Sequence, residues 1–139
     1  MKTIYIADDE TNIREAIKKF LESAGHSVRA FDNGDALLAA FLAKPADLVI
    51  LDVMMPGANG FNVCKELRRH SHVPIFILTA RDSDLDYQTA LDLGADDYFV
   101  KPVSTMTLVM KVKTLFRRIA YEREDAVKAF QTEDSYEAL

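Results

Sequence analysis

Five short apolar runs, each followed by a stretch of helical periodicity, leave this chain few folds to choose from. The runs are Thr3–Ala7, Ser27–Phe31, Asp47–Leu51, Pro74–Leu78 and Asp97–Val100. All are of strand length, and runs that are solidly apolar mark strands of a parallel sheet covered on both faces. Between the first two, Ile13, Ala16, Ile17, Phe20 and Leu21 recur at helical spacing, and Gly25 supplies a left-handed stop. Leu37, Leu38 and Phe41 mark a second helix after Asp32-Asn33-Gly34, and Phe61, Cys64 and Leu67 a third after Asn59-Gly60. Leu85, Ala90, Leu91 and Leu93 mark a fourth, capped by Ser83 or Asp84 and closed by Gly94. A fifth starts at Ser104 and carries Leu108, Val112, Leu115, Phe116 and Ile119. Strict alternation of strand and helix predicts an α/β fold, a doubly wound five-stranded parallel sheet with five helices and right-handed crossovers.

The second run, Ser27-Val28-Arg29-Ala30-Phe31, alternates polar and apolar where the others are solidly apolar, which places it at a sheet edge. The strand order is then 2-1-3-4-5, the flavodoxin-like order, and its topological switch falls between strands one and three. Sheets of this kind gather reactive groups at the carboxyl ends of their strands. Here those ends carry Asp8-Asp9, Asp52, Thr79 and Lys101, so three carboxylates, a hydroxyl and an ammonium are expected in one crevice.

At 139 residues and 49% hydrophobic, the chain has the material for a core of ordinary size. The lone Cys64 excludes an internal disulfide and suits a reducing compartment. No apolar run approaches the roughly 18 residues of a membrane span, and the amino end has no signal-peptide core, so a cytoplasmic protein without membrane contact is expected. Of the net charge of −5, four units belong to residues 119–139, an acidic helical extension or linker tail beyond the 1–118 body, with disorder expected past about residue 130. Without a basic stripe, the chain has no means of direct nucleic-acid contact.

Three carboxylates in a partly buried crevice repel one another unless a cation compensates. A hard divalent ion is the obvious one, and Mg²⁺ commonly binds through one or two carboxylates plus phosphate oxygens. Asp9 and Asp52 suit direct ligation, with Asp8 direct or through water, and a carbonyl just past Asp52 can add another oxygen. Three acids, Mg²⁺ and Lys101 sum to zero charge. Such a site can absorb the extra negative charge of an acyl phosphate on Asp52, with Thr79 donating to a phosphoryl oxygen.

Asp8-Asp9, Asp52, Thr79-Ala80 and Lys101-Pro102, in this order and spacing, resemble the receiver domain of two-component response regulators over residues 1 to about 118. Met54-Met55-Pro56-Gly57 with Gly60, and Gly94-Ala95-Asp96-Asp97-Tyr98, also resemble that family, particularly the subfamily whose output is a winged-helix DNA-binding domain. The resemblance implies that Asp52 is the phosphoacceptor for a sensor histidine kinase or a small donor such as acetyl phosphate. It implies that Asp9, Asp52 and the Met54 backbone carbonyl hold Mg²⁺ with Asp8 in support, that Thr79 and Lys101 contact the phosphoryl group, and that Lys101–Pro102 is cis. Tyr98 matches the aromatic switch position, coupled to Thr79 and read out on the surface of helix four, strand five and helix five. A homodimer through that surface would use Asp92 with Arg118 and Asp97 with Lys111, while Tyr87 and Thr107 stand where the family commonly has a third charge pair.

The implied function is a phosphorylation-activated receiver that catalyses phosphoryl transfer to its own Asp52 and its slow hydrolysis, without being a metabolic enzyme. Transcription would be controlled through an output domain absent from this chain. The alternatives are a stand-alone receiver acting by protein binding and a non-phosphorylated scaffold. A flavodoxin-like cofactor binder is disfavoured because Asp8-Asp9-Glu10 repels phosphate. A hydrolase of the haloacid-dehalogenase type needs an acid two residues past the nucleophile, where this chain has Met54. Met54 and Arg81, two residues beyond Asp52 and Thr79, flank the same pocket.

Overall fold

The structure, a computed structural model, describes residues 1–137, with side chains through Phe130. It divides into two compact units, Met1–Thr105 and Met106–Leu139. The first contains five strands, β1 (Thr3–Ala7), β2 (Ser27–Phe31), β3 (Leu48–Leu51), β4 (Ile75–Thr79) and β5 (Asp97–Val100). Alternating with them are α1 (Thr11–Ser23), α2 (Gly34–Ala43), α3 (Gly60–Arg68) and α4 (Asp84–Asp92). The strands form one sheet in the order β2-β1-β3-β4-β5, and every pairing is parallel.

The central strands are apolar throughout because both of their faces are covered. β3 is buried at all four residues and β4 at all five, whereas β2 reads exposed, buried, exposed and then half-buried twice, as an edge strand does. On one face Tyr5, Ala7, Val49, Leu51, Ile75 and Ile77 meet Leu37 and Phe41 of α2 and Val63, Cys64 and Leu67 of α3 in a continuous core. The Tyr5 ring meets Phe31 and Phe41 edge-to-face, with centroids 5.7 and 6.4 Å away, and its hydroxyl donates to the Lys44 carbonyl at 2.6 Å. On the other face Ile4, Ile6, Leu48, Ile50 and Leu78 are buried, as are Ile17 and Leu21 of α1.

Two strand boundaries differ from the sequence expectation, each for a local reason. Asp47 stays outside β3 because its side chain turns back to accept the Thr3 N–H at 2.8 Å. Pro74 has no N–H to donate and contributes only its carbonyl, which accepts from Val49 at 3.0 Å, so β4 starts one residue later and runs through Thr79. Of the two candidate caps for α4, Ser83 caps, its hydroxyl accepting the Asp86 N–H at 3.1 Å, and Asp84 is the first helical residue.

The second unit is helical. α5 (Thr105–Glu137) begins one residue after the expected Ser104 and is continuous through residue 118. Against the expectation of disorder past about residue 130, the backbone there continues as α5 through Glu137; residues 138 and 139 lie outside the described residues. No helix among the described residues is long and apolar enough to cross a membrane.

Candidate functional site

The carboxyl ends of the central strands place the chemistry. Asp52 directly follows β3, and its N–H donates to the Ala7 carbonyl at 3.0 Å. Asp8 directly follows β1 and donates to Phe31 at 3.1 Å. These backbone bonds seat two acids side by side at the topological switch. Lys101 follows β5 and donates its N–H to the Thr79 carbonyl at 2.7 Å, and the Lys101–Pro102 peptide is cis.

The Lys101 ammonium lies 2.9 Å from Asp8 Oδ2, 3.0 Å from Glu10 Oε1 and 3.0 Å from Asp52 Oδ2. Asp8 and Asp52 are buried, at 1% and 3% exposure, while Asp9 and Glu10 are exposed at the rim. Burial by itself would lower the Lys101 pKa, but the adjacent carboxylates of Asp8, Glu10 and Asp52 outweigh it and hold the ammonium above the ordinary lysine range. Burial raises the Asp8 pKa, against the opposing pull of Lys101 and of the Glu10 N–H, which donates to Asp8 Oδ1 at 2.9 Å; the nearby Asp52 charge adds to the rise. The Arg14 guanidinium donates to the Asp8 carbonyl at 2.7 Å and fixes the turn into α1.

Oxygen atoms of Asp8, Asp9, Glu10 and Asp52 all lie within 4.8 Å of one another. Asp8 Oδ2 is fully buried and accepts no aligned hydrogen bond, although the ammonium stands beside it. A buried carboxylate oxygen left in that state, among other hard oxygen donors, fits a divalent cation such as Mg²⁺. The Met54 N–H donates to Asp52 Oδ1 at 3.2 Å. At the rim Asp9, Met54, Asn59 and Arg81 border an open cavity of about 360 Å³. Gly60, opening α3, lies against Asp52 so closely that a Cβ there would collide with the Asp52 carbonyl. A glycine is therefore required for α3 to approach the acid from behind.

Thr79, fully buried, and Tyr98 are joined through one residue. The Arg81 N–H donates to Thr79 Oγ1 at 3.3 Å, and the Tyr98 hydroxyl donates to the Arg81 carbonyl at 2.5 Å. The Arg81 side chain is tied to Asp86, Nε to Oδ2 at 3.1 Å, and lies over the Phe61 ring at 5.6 Å. The Tyr87 ring packs edge-to-face on Tyr98 with centroids 5.6 Å apart. Asp92 accepts from Gln88 at 2.9 Å, and Asp97 accepts from the Tyr98 N–H at 2.8 Å. Lys111 and Arg118 belong to α5.

The family model for the response regulator receiver domain matches residues 4–113. The chain belongs to the response regulator receiver domain family. The sequence is 45% identical over 116 residues to the "Probable transcriptional regulator ycf27" of Cyanidium caldarium, covering 84% of this chain and 47% of the relative. It is 39% identical over 126 residues to the sensory transduction protein RegX3 of Mycolicibacterium smegmatis, covering 91% and 55%. The receiver thus spans about half the length of the curated relatives it matches. In structure it is similar to a two-component response regulator from Clostridium difficile, at 29% identity and a TM-score of 0.83 over 86% of this chain and 98% of the other. A Francisella response regulator receiver domain gives 31% identity and a TM-score of 0.81 over 86% and 99%.

Within the receiver, the fold brings Asp8, Asp9, Asp52 and Lys101 together, and Thr79 ends the strand next to β3. Sequence reasoning missed the part of Glu10 in the Lys101 cluster and the Arg81 backbone bridge between Thr79 and Tyr98. Glu10 sat in plain view after the acidic pair, but an exposed glutamate at a helix start reads as solvent-facing. The Arg81 bridge uses backbone atoms and leaves no trace in residue types.

Proposed function

We propose that this receiver is a phosphorylation-activated switch in which Asp52 accepts a phosphoryl group from a sensor histidine kinase. The observation that carries the proposal is the Lys101 ammonium held 3.0 Å from a buried Asp52, among acids that need a further cation. Asp8, Asp9 and Asp52, with the Met54 carbonyl, would hold Mg²⁺. That ion supplies positive charge for the phosphoryl oxygens and for the acids that crowd Asp52.

The remaining chemistry belongs to the chain. An Asp52 carboxylate oxygen attacks phosphorus in line, the bond from phosphorus to the donor's imidazole nitrogen breaks, and the electron pair leaves with the imidazole. Lys101 stands ready to pair with a phosphoryl oxygen, and Thr79 donates its hydroxyl to another. When Thr79 turns to that oxygen, the Arg81 N–H loses its acceptor. The Tyr98 hydroxyl is bonded to the same residue, so the ring and the segment leading into α4 respond together. Moving a population from 1:99 to 99:1 takes about 5.5 kcal/mol, more than one charge-assisted hydrogen bond provides, so Lys101, the cation and a partner surface must act with Thr79.

The chain transfers phosphoryl to itself and turns over no separate substrate. In this reading it works in the cytoplasm and controls transcription through an output domain; support for the transcriptional part comes from a longer relative named as a probable transcriptional regulator. Leu85 and Leu91 of α4 and Val100 of β5 are exposed, as a partner-binding surface would be. A homodimer through helix four, strand five and helix five belongs to the same proposal and is checked by sedimentation before and after phosphorylation. Acetyl phosphate with Mg²⁺ is expected to add one acid-stable, base-labile phosphoryl group to the wild type and none to Asp52→Asn. Equal labelling of both would defeat the assignment.

A further inference from the structure

The Lys101 ammonium stands 2.9–3.0 Å from three carboxylates, hydrogen-bonded to Glu10 and Asp52 and ion-paired with Asp8, so anions surround it before any cation or phosphoryl group arrives. The function proposed above withdraws two of those neighbours. A divalent cation would draw on both Asp8 and Asp52, and phosphorylation would consume the Asp52 carboxylate. Glu10 is the third, and its placement is specific. It is the N-cap residue of α1, where a short Ser, Thr, Asp or Asn side chain would turn back onto the helix N–H groups, and the longer glutamate makes no capping bond. Its carboxylate instead reaches Lys101, 91 positions away in sequence, at 3.0 Å. The Glu10 side chain is 54% exposed and the Lys101 side chain 9%, so an easily solvated anion at the rim holds a cation inside.

We propose that Glu10 is a positioning residue for Lys101, the anchor that keeps the ammonium aimed into the pocket when Asp8 and Asp52 are engaged elsewhere. This rests on the phosphoacceptor reading, because only a cation and a phosphoryl group draw those two acids away. In the resting protein Glu10 is one of three anions around the ammonium. In the cation-loaded protein it becomes the chief one, so its contact with Lys101 strengthens as the cation binds. Glu10 thus favours cation uptake through Lys101 and not as a ligand.

The test is an equilibrium titration with Mg²⁺ alone, without phosphoryl donor. Glu10→Gln is expected to weaken Mg²⁺ binding roughly two- to fivefold, the scale of one partly exposed ion pair. Glu10→Asp, which keeps the charge but shortens the reach, is expected to weaken it as well. In a Lys101→Met background, Glu10→Gln is expected to change nothing. Equal weakening in both backgrounds would make Glu10 a ligand or a source of field and overturn the proposal. So would a Glu10→Asp variant that binds as the wild type does. A second measurement needs no Lys101 variant. The nitrogen NMR signal of the Lys101 ammonium is expected to stay protected from solvent exchange in Mg²⁺-saturated wild type and to be lost in Glu10→Gln. Protection in both proteins contradicts the anchor. Wild type that takes up neither Mg²⁺ nor phosphoryl defeats the functional reading itself, whereas a competent wild type with an unaffected Glu10→Gln defeats only the anchor.

Discussion

Replacing Asp8 by Asn is expected to make the metal-free receiver more stable. Asp8 is buried, and its Oδ1 accepts the Glu10 N–H, a bond that an Asn oxygen preserves. What changes is charge. At an effective dielectric near 20, an acid within the 4.8 Å spread of the cluster opposes Asp8 by about 3.5 kcal/mol, and Lys101 at 2.9 Å favours it by about 6 kcal/mol. Lys101 outweighs any single acid, but burial is the largest effect on Asp8 and, with the Asp52 charge, it tips the balance against the ionised form. Asp9 and Glu10 are exposed and therefore screened, so the penalty rests mainly on burial of the carboxylate and is expected at about 1–2 kcal/mol. For a chain of this size that corresponds to a rise in Tm of roughly 3–8 °C.

The assay is thermal melting by circular dichroism in chelator at neutral pH and again in acid. The folded pKa of Asp8 is raised above the unfolded value of 3.8, so the folded state holds that proton more tightly. The penalty is absent below the unfolded value, develops as pH rises through the window between the two, and is complete above the folded value. The advantage of Asp8→Asn must therefore shrink as pH falls through that window. Mg²⁺ should narrow it too, because a ligand at ten times its Kd stabilises the binding-competent wild type by about 1.4 kcal/mol. An Asp8→Asn protein less stable than wild type in neutral chelator would refute the reasoning, since the ammonium would then outweigh burial and the Asp52 charge together.

Three further outcomes are expected. Arg68 clamps two loops, donating to the Gly94 carbonyl at 2.7 Å, the Val73 carbonyl at 2.6 Å and Asp96 at 3.1 Å, so Arg68→Ala should lose about 2–3 kcal/mol in urea unfolding; a loss under about 0.5 kcal/mol would show the clamp to be idle. Gly60→Ala drives a Cβ into the Asp52 carbonyl, so it should lower both stability and the rate of labelling by acetyl phosphate, and a wild-type rate would contradict that contact. Thr79→Ala should still accept phosphate but give a smaller change in tyrosine fluorescence on phosphorylation; a full-sized change would sever the proposed link from Thr79 through Arg81 to Tyr98.

The sheet was legible because a parallel strand buried on both faces must be apolar at every position, and Leu48–Leu51 and Ile75–Leu78 are. The edge position of β2 was legible for the converse reason, in the alternation of Ser27, Val28 and Arg29. From strand order alone Asp8 and Asp52 had to be neighbours, whereas Lys101, beyond β4, shares their edge of the sheet and reaches them with its long side chain. Where two residues offered similar chemistry, the sequence could not choose. Ser83 and Asp84 can both cap a helix, and the choice depends on which backbone position leaves the helix. Glu10 and Arg68 stayed hidden because each looks like a solvated charge on a helix. Their partners, Lys101 and the carbonyls of Val73 and Gly94, become neighbours only through the fold. Pairing energies of that kind depend on distance and burial, which residue type does not report.

The central claim is that Asp52, among clustered acids, is the residue esterified by phosphorus. Borohydride reduction of receiver treated with acetyl phosphate and Mg²⁺, followed by peptide mass spectrometry, reads the position directly, because an aspartyl phosphate is reduced to homoserine. The account predicts homoserine at position 52 alone. An unreduced Asp52, or homoserine at position 8 or 9 in its place, would contradict it.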